Sequence, residues 1–126
     1  MQKHLEQLLK GLSLTKLQSE LYKKSFYEFS LDAFKTLHNG QELTPNWHIK
    51  LICDRLQVEA ERIVSGKQRD KHLLINVPPR TLKSELVNVF FRVYCWILKD
   101  SIQFISSSYS ASLSIVLSTQ SRRLIE

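Results

Sequence analysis

A short apolar run that stops at two prolines constrains the fold of this chain more than any other feature. Residues 73–77 read LLINV, and Pro78 and Pro79 follow them directly. An apolar run of this length with β-branched residues is typical of a buried strand. Proline ends such a strand because it has no backbone N–H to donate to a sheet. We therefore expect a strand over residues 73–77 that is covered on both faces and leads into a loop.

Apolar residues recur at helical spacing after this loop. They are Leu86, Val87, Phe90, Phe91, Val93, Tyr94, Ile97 and Leu98. The spacing predicts a helix that places Lys83 and Ser84 near its start. The first backbone N–H groups of a helix are unpaired and carry partial positive charge, so a helix start can bind an anion.

The loop before this helix contains part of the phosphate-binding consensus G-x-x-x-x-G-K-[ST]. Lys83 and Ser84 occupy the last two positions of the consensus, whereas Val77 and Leu82 stand where it has glycine. Glycine permits positive φ and lets the backbone approach a phosphate closely. Without glycine, we expect the loop to adopt ordinary dihedral angles or to bind phosphate more weakly. The alternative interpretation is an ordinary strand-to-helix turn whose lysine and arginine face water.

Helical spacing also marks the region before this loop. Leucines and aromatic residues alternate with charges over residues 1–38, and one of the helical patterns follows Ser25. Another helix is predicted over residues 47–65, with Asn46 as its N-cap and Gly66 at its end. The Asn39-Gly40 pair predicts a turn between these regions.

A second apolar run, over residues 102–106, is predicted to be another strand. The serine-rich sequence SSSYS follows at residues 106–110, and a helical pattern covers residues 111–125. The order strand, helix, strand, helix predicts an α/β fold with a parallel sheet. Ligands of such sheets bind at the carboxyl ends of the strands, so we expect the serines and the Pro-Pro-Arg loop at the same edge. The ordinary interpretation of the serines is a polar turn that caps a helix.

The chain is basic, with 18 lysines and arginines against 12 acidic residues and a net charge of +6. This surplus favours polyanionic partners, so a small basic nucleic-acid-binding or adaptor module is an alternative function. Cys53 and Cys95 each fall within an apolar helical pattern, which is typical of core residues in a reducing compartment. The longest apolar region, residues 86–98, is too short for a bilayer and contains Arg92. The cytoplasm is the expected location.

Three parts of the sequence together resemble a known protein family. LLINVPPRTLKSELV, then IQFISSSYSASL and finally SRRLIE resemble the start of the ATPase domain of large terminase subunits. These subunits are the DNA-packaging motors of tailed bacteriophages and prophages. The family's loop reads apolar-Pro-Pro-Arg-x-x-Lys-Ser, and the residue before its lysine is often not glycine. The resemblance covers residues 26–126 and implies a helical leader over residues 1–40 and an incomplete P-loop ATPase core over residues 41–126.

The resemblance also implies a binding site for ATP and Mg²⁺. Lys83 and Arg80 would act on the phosphates in a catalytic role, and the Ser84 hydroxyl would be a ligand of Mg²⁺. Trp47 and His48 would lie near the adenine, although a core tryptophan and a histidine satisfied at a helix start are the ordinary interpretation. The implied nucleotide-binding residues are Pro79, Arg80, Thr81, Leu82, Lys83, Ser84, Trp47 and His48.

The family's other partners are double-stranded DNA, the portal protein and the small terminase subunit, in the cytoplasm of a bacterial host and without a membrane. ATP hydrolysis needs an acidic residue at the end of another strand and a group that orients water. In the family these groups follow the serine motif, and a nuclease domain follows them. The sequence stops at residue 126, before any such residues. We therefore expect an N-terminal fragment that binds nucleotide without hydrolysing it, or a decayed and inactive prophage remnant.

Overall fold

The regular secondary structure in the described part of the chain is entirely helical. The computed structural model describes residues 1–125, except for the side chains of residues 12–14. The helical segments are α1 (Gln2–Lys24), α2 (Phe26–Leu37), α3 (Trp47–Val64), α4 (Lys83–Glu85), a π-helical segment (Leu86–Phe90), α5 (Phe91–Leu98) and α6 (Ala111–Ile125). Because α4, the π-helical segment and α5 follow one another directly, the backbone is helical throughout residues 83–98.

The predicted α/β fold with a parallel sheet is wrong, because no strand occurs within residues 1–125. Neither of the two predicted strands, residues 73–77 and 102–106, has regular secondary structure there. A strand exists only where a neighbouring chain segment accepts and donates its backbone hydrogen bonds. No such ladder joins these two runs in the part of the chain that the structure describes.

Both apolar runs are covered on one face only. In the first run, Ile75 packs against the helical core, whereas Leu74 is 90% exposed. In the second run, Phe104 packs against the core, whereas Ile105 is 102% exposed. The expectation of a strand buried on both faces is therefore also wrong, and the helices supply the single covering layer.

Side-chain caps begin two helices where the sequence predicts them. The Ser25 hydroxyl accepts a hydrogen bond from the Glu28 N–H at 3.3 Å at the start of α2. The Asn46 side chain accepts one from the Trp47 N–H at 3.0 Å at the start of α3. These bonds satisfy N–H groups that a helix start leaves free. The predictions of α2, α3 and α6 are confirmed.

An aromatic cluster joins the N-terminal helices to the helix that follows the loop. The Phe26 ring centroid lies 5.2 Å from that of Tyr94 and 5.8 Å from that of Phe91. Phe26 belongs to α2, whereas the other two residues belong to α5. Burial of each such ring stabilises the fold by about 2–3 kcal/mol. The core thus holds α5, and with it the preceding loop, against α2. The division into a leader over residues 1–40 and a core from residue 41 stays a prediction.

The helices over residues 1–125 also lack the features of a membrane-spanning segment. None of them combines the length and the apolar character that spanning a membrane requires.

Candidate functional site

The Pro-Pro-Arg loop forms an open cavity of about 490 Å³ together with the start of α4. Its lining residues are Pro78, Pro79, Arg80, Thr81, Leu82, Lys83, Ser84 and Glu85. The Thr81 hydroxyl donates a hydrogen bond to the Pro78 carbonyl oxygen at 2.7 Å, which closes the turn. The helix begins at Lys83, as predicted, and both Lys83 and Ser84 are exposed at the cavity.

Two residues of this loop adopt the left-handed backbone conformation. Arg80 has φ of 63° and Leu82 has φ of 66°. Of the two expectations for a loop without glycine, ordinary dihedral angles are therefore wrong at these two positions, and weaker phosphate binding stays a prediction. Each non-glycine residue in this conformation costs about 1–2 kcal/mol, so the surrounding structure must hold it there. The Leu82 side chain packs against the core, which supplies part of that restraint.

The residues that line the cavity have unpaired backbone donors. Within the described residues, no acceptor takes a hydrogen bond from the N–H groups of residues 80–85. The first helical hydrogen bond runs from the Leu86 N–H to the Leu82 carbonyl oxygen at 3.0 Å. Adjacent free N–H groups in a bent loop attract anions, and the nearby Lys83 ammonium adds a full positive charge. These groups together would favour an oxyanion at the cavity.

The acidic side chain at this cavity is already paired. A Glu85 carboxylate oxygen lies 3.0 Å from His38 Nε2, and the His38 ring stacks on the Phe34 ring with centroids 4.1 Å apart. Within residues 1–125, no three His, Cys, Asp or Glu side chains cluster as metal ligands. The Ser84 hydroxyl, the predicted contact to Mg²⁺, is exposed at the cavity. Phosphate oxygens and water would have to supply the remaining ligands.

The predicted adenine contacts are not part of this cavity. Trp47 and His48 lie at the start of α3, and neither lines the space formed by residues 78–85. Trp47 is 74% exposed, so it is not the core anchor of the ordinary interpretation. His48 Nε2 is buried without a hydrogen-bond partner among the described residues, so this histidine is not satisfied either. The role of both side chains at adenine stays a prediction.

The serine-rich sequence also lies outside the loop cavity. Ser110 caps α6, since its hydroxyl accepts a hydrogen bond from the Leu113 N–H at 3.4 Å, as the ordinary interpretation predicts. Ser106 instead lines a separate cavity that also contains Arg92. The sequence reasoning did not select Arg92 as a functional residue. The available signal was a single charge inside an otherwise apolar helical stretch.

Comparisons with known proteins identify no relative of this chain. No protein family, no curated protein and no solved structure matches it. The likeness to large terminase subunits stays a resemblance carried by the sequence around the loop and the serines.

Proposed function

We propose that residues 78–84 bind the phosphates of ATP together with Mg²⁺, and that the chain is the nucleotide-binding part of a terminase-type DNA-packaging ATPase. The observation that supports this proposal best is the backbone of the loop. Arg80 and Leu82 hold a conformation that phosphate-binding loops ordinarily obtain from glycine. Strain of this kind is concentrated at functional sites, where surrounding contacts maintain it.

The roles of the side chains follow from their positions around the cavity. The free N–H groups of the loop would contact the β-phosphate, and Lys83 would neutralise charge between the β- and γ-phosphates. Arg80 would grip a phosphate with its planar guanidinium. The Ser84 hydroxyl would hold Mg²⁺, which supplies further charge neutralisation when it is bound.

The partners in this proposal come from the family resemblance. They are double-stranded DNA, the portal protein and the small terminase subunit, in the cytoplasm of a bacterial host. The net charge of +6 supports an encounter with DNA because it attracts a polyanion at long range.

Binding of a fluorescent ATP analogue in the presence of Mg²⁺ tests the loop site. We expect saturable binding by the wild-type chain and at least a tenfold loss in Lys83→Ala, because the main phosphate-neutralising charge is removed. Lys71→Ala is the matched control, since Lys71 is also exposed and lies outside this cavity. Circular dichroism establishes that each variant keeps its helices.

Equal binding of the analogue by wild type and Lys83→Ala would contradict the nucleotide site. Failure of the wild type to bind, combined with steeply salt-dependent DNA binding that is indifferent to Lys83, would instead favour a small basic nucleic-acid-binding module.

A further inference from the structure

A second cavity, of about 320 Å³, lies between α5 and α6. Its lining residues are Arg92, Trp96, Phe104, Ser106, Ser114 and Ser118. Arg92 and Trp96 are four positions apart on α5, and Ser114 and Ser118 are four positions apart on α6. Residues at this spacing share one helix face, so the two helices present these side chains to the same space.

Arg92 is half-buried as a residue, and its guanidinium has few partners. One of its nitrogens donates a hydrogen bond to the Ser106 hydroxyl, and no carboxylate pairs with it in the part of the chain that the structure describes. Arg62, by contrast, has a carboxylate oxygen of Glu59 at 2.9 Å. A guanidinium carries five N–H donors, and the bond to Ser106, which is exposed, uses one of them. Arg92 therefore retains donors and charge that an incoming anion can use.

Serine hydroxyls complete the polar side of this cavity. The Ser118 hydroxyl has no hydrogen-bond partner among the described residues, so it is available to a ligand. The Ser114 hydroxyl lies 2.7 Å from that of Ser108 and donates a long hydrogen bond to the Ser110 carbonyl oxygen at 3.3 Å, which a ligand oxygen would have to replace. Hydroxyl donors around a guanidinium fork match the several oxygens of a tetrahedral oxyanion.

Aromatic rings form the other side of the cavity. The ring centroids of Trp96 and Phe104 lie 5.8 Å apart in an edge-to-face arrangement. The Trp96 indole N–H donates to the Ile102 carbonyl oxygen at 2.8 Å, which fixes the ring and uses its polar group. This wall can therefore offer apolar surface and π contact to the base of a nucleotide.

We propose that this cavity binds a phosphate group that is attached to a nucleoside, with Arg92, Ser106, Ser114 and Ser118 around the phosphate oxygens. Trp96 and Phe104 contact the nucleoside. The phosphate belongs either to a free nucleotide or to a nucleic acid strand, and the chemistry at Arg92 is the same for both. This site is separate from the loop of residues 78–84 and does not depend on it.

Titration of the ¹⁵N-labelled chain with inorganic phosphate, thymidine monophosphate and a short oligothymidylate tests this site by NMR. We expect saturable shifts of the Arg92 side-chain Nε–H and of the Ser114 and Ser118 amides. Thymidine monophosphate or the oligothymidylate should bind at least tenfold more tightly than phosphate, because only they reach the aromatic wall. The tighter of these two probes identifies the source of the phosphate.

Variants separate this site from the general positive charge of the chain and from the loop. We expect Arg92→Gln to weaken binding at least tenfold. The affinity of Arg92→Lys should lie between those of Arg92→Gln and the wild type, since lysine keeps the charge and loses the planar fork of donors. Arg55→Gln removes the same charge from an exposed position on α3 and should bind like the wild type. Lys83→Ala should also leave this binding unchanged.

Two results would overturn the proposal. The first is the absence of saturable shifts at Arg92 with all three probes. The second is equal binding by Arg92→Gln and the wild type, in a variant whose amide spectrum shows that it is folded.

Discussion

The side-chain amide nitrogen of Gln57 donates a hydrogen bond to the Tyr94 hydroxyl at 3.0 Å, at the meeting point of four helices. The same hydroxyl donates to the Lys23 carbonyl oxygen at 2.9 Å. Gln57 Oε1 accepts a hydrogen bond from the Phe26 N–H at 2.5 Å. This network therefore connects the end of α1, the start of α2, α3 and α5. A satisfied polar network of this kind fixes one arrangement of the packed helices.

Replacing Tyr94 with phenylalanine removes the centre of this network. The Lys23 carbonyl and the Gln57 amide lose a partner in a partly buried site, so we expect the free energy of unfolding to fall by about 1–2 kcal/mol. Urea denaturation followed by circular dichroism measures the change. Tyr109→Phe is the control, because Tyr109 is 96% exposed and should change stability by less than about 0.5 kcal/mol. Equal stability of the two variants would contradict the network.

The His38–Glu85 contact predicts a measurable coupling between the end of α2 and the start of α4. The His38 side chain is 33% exposed and the Glu85 side chain 19% exposed, so solvent screens their attraction incompletely. A double-mutant cycle with His38→Ala and Glu85→Ala should give a coupling free energy of about 0.5–1 kcal/mol in urea denaturation. Lys35 Nζ lies 3.8 Å from Glu42 Oε1, and these two side chains are 54% and 84% exposed. The same cycle for this pair should give a coupling free energy near zero. Similar coupling in both pairs would contradict this expectation.

The helices could be predicted because their signals are local. Ser25 and Asn46 cap α2 and α3 with their own side chains, and the apolar spacing that follows each cap matches one helix face. The sheet could not be predicted in the same way. An apolar run such as residues 73–77 shows that one surface is buried, but a strand also needs a partner elsewhere in the molecule.

Some features of the loop cavity depend on tertiary structure, which the sequence does not display. His38 and Glu85 are 47 positions apart, so their contact has no local signature. The left-handed Leu82 was not predicted, because this conformation is normally inferred from glycine and leucine adopts it only under restraint from its surroundings. The position of Lys83 at a helix start was predicted, since the spacing after it is regular.

The positive φ of Arg80 predicts that glycine stabilises this position. Arg80→Gly relieves about 1–2 kcal/mol of backbone strain, but glycine also makes the unfolded chain more flexible, which costs about 0.5–1 kcal/mol. We therefore expect the free energy of unfolding to rise by about 0.5–1 kcal/mol. Arg69→Gly should instead lower the free energy of unfolding by about 0.5–1 kcal/mol, because Arg69 is exposed and has no positive φ whose strain glycine could relieve. Thermal and urea denaturation measure both variants.

The same variant separates stability from the proposed binding. If Arg80 grips a phosphate, Arg80→Gly should bind the ATP analogue more weakly although it is more stable. A loss of stability as large as that of Arg69→Gly would contradict the left-handed conformation of Arg80.

The two free cysteines predict a loss of stability at alkaline pH. Cys53 and Cys95 are both fully buried, as the sequence predicts for core residues. Burial raises the pKa of the Cys53 thiol to about 11 and that of the Cys95 thiol to about 12. An unfolded thiol ionises near pH 8.5, so above this pH the unfolded chain releases protons that the folded chain keeps. Ionisation therefore favours the unfolded state increasingly as the pH rises.

The expected loss is on the order of 2 kcal/mol for each thiol between about pH 8.5 and pH 10, since one pKa unit corresponds to about 1.4 kcal/mol. Urea denaturation at several pH values in this window measures it. A variant with Cys53→Ala and Cys95→Ala should start less stable because of the lost packing, but its stability should decline less steeply with pH. Tyr22, whose pKa burial raises to about 12, is common to both proteins and releases its unfolded-state proton mainly above about pH 10. If the stability of the wild type and of the variant declined equally with pH, the thiol pKa values would not differ between the folded and unfolded chains. That result would contradict the prediction.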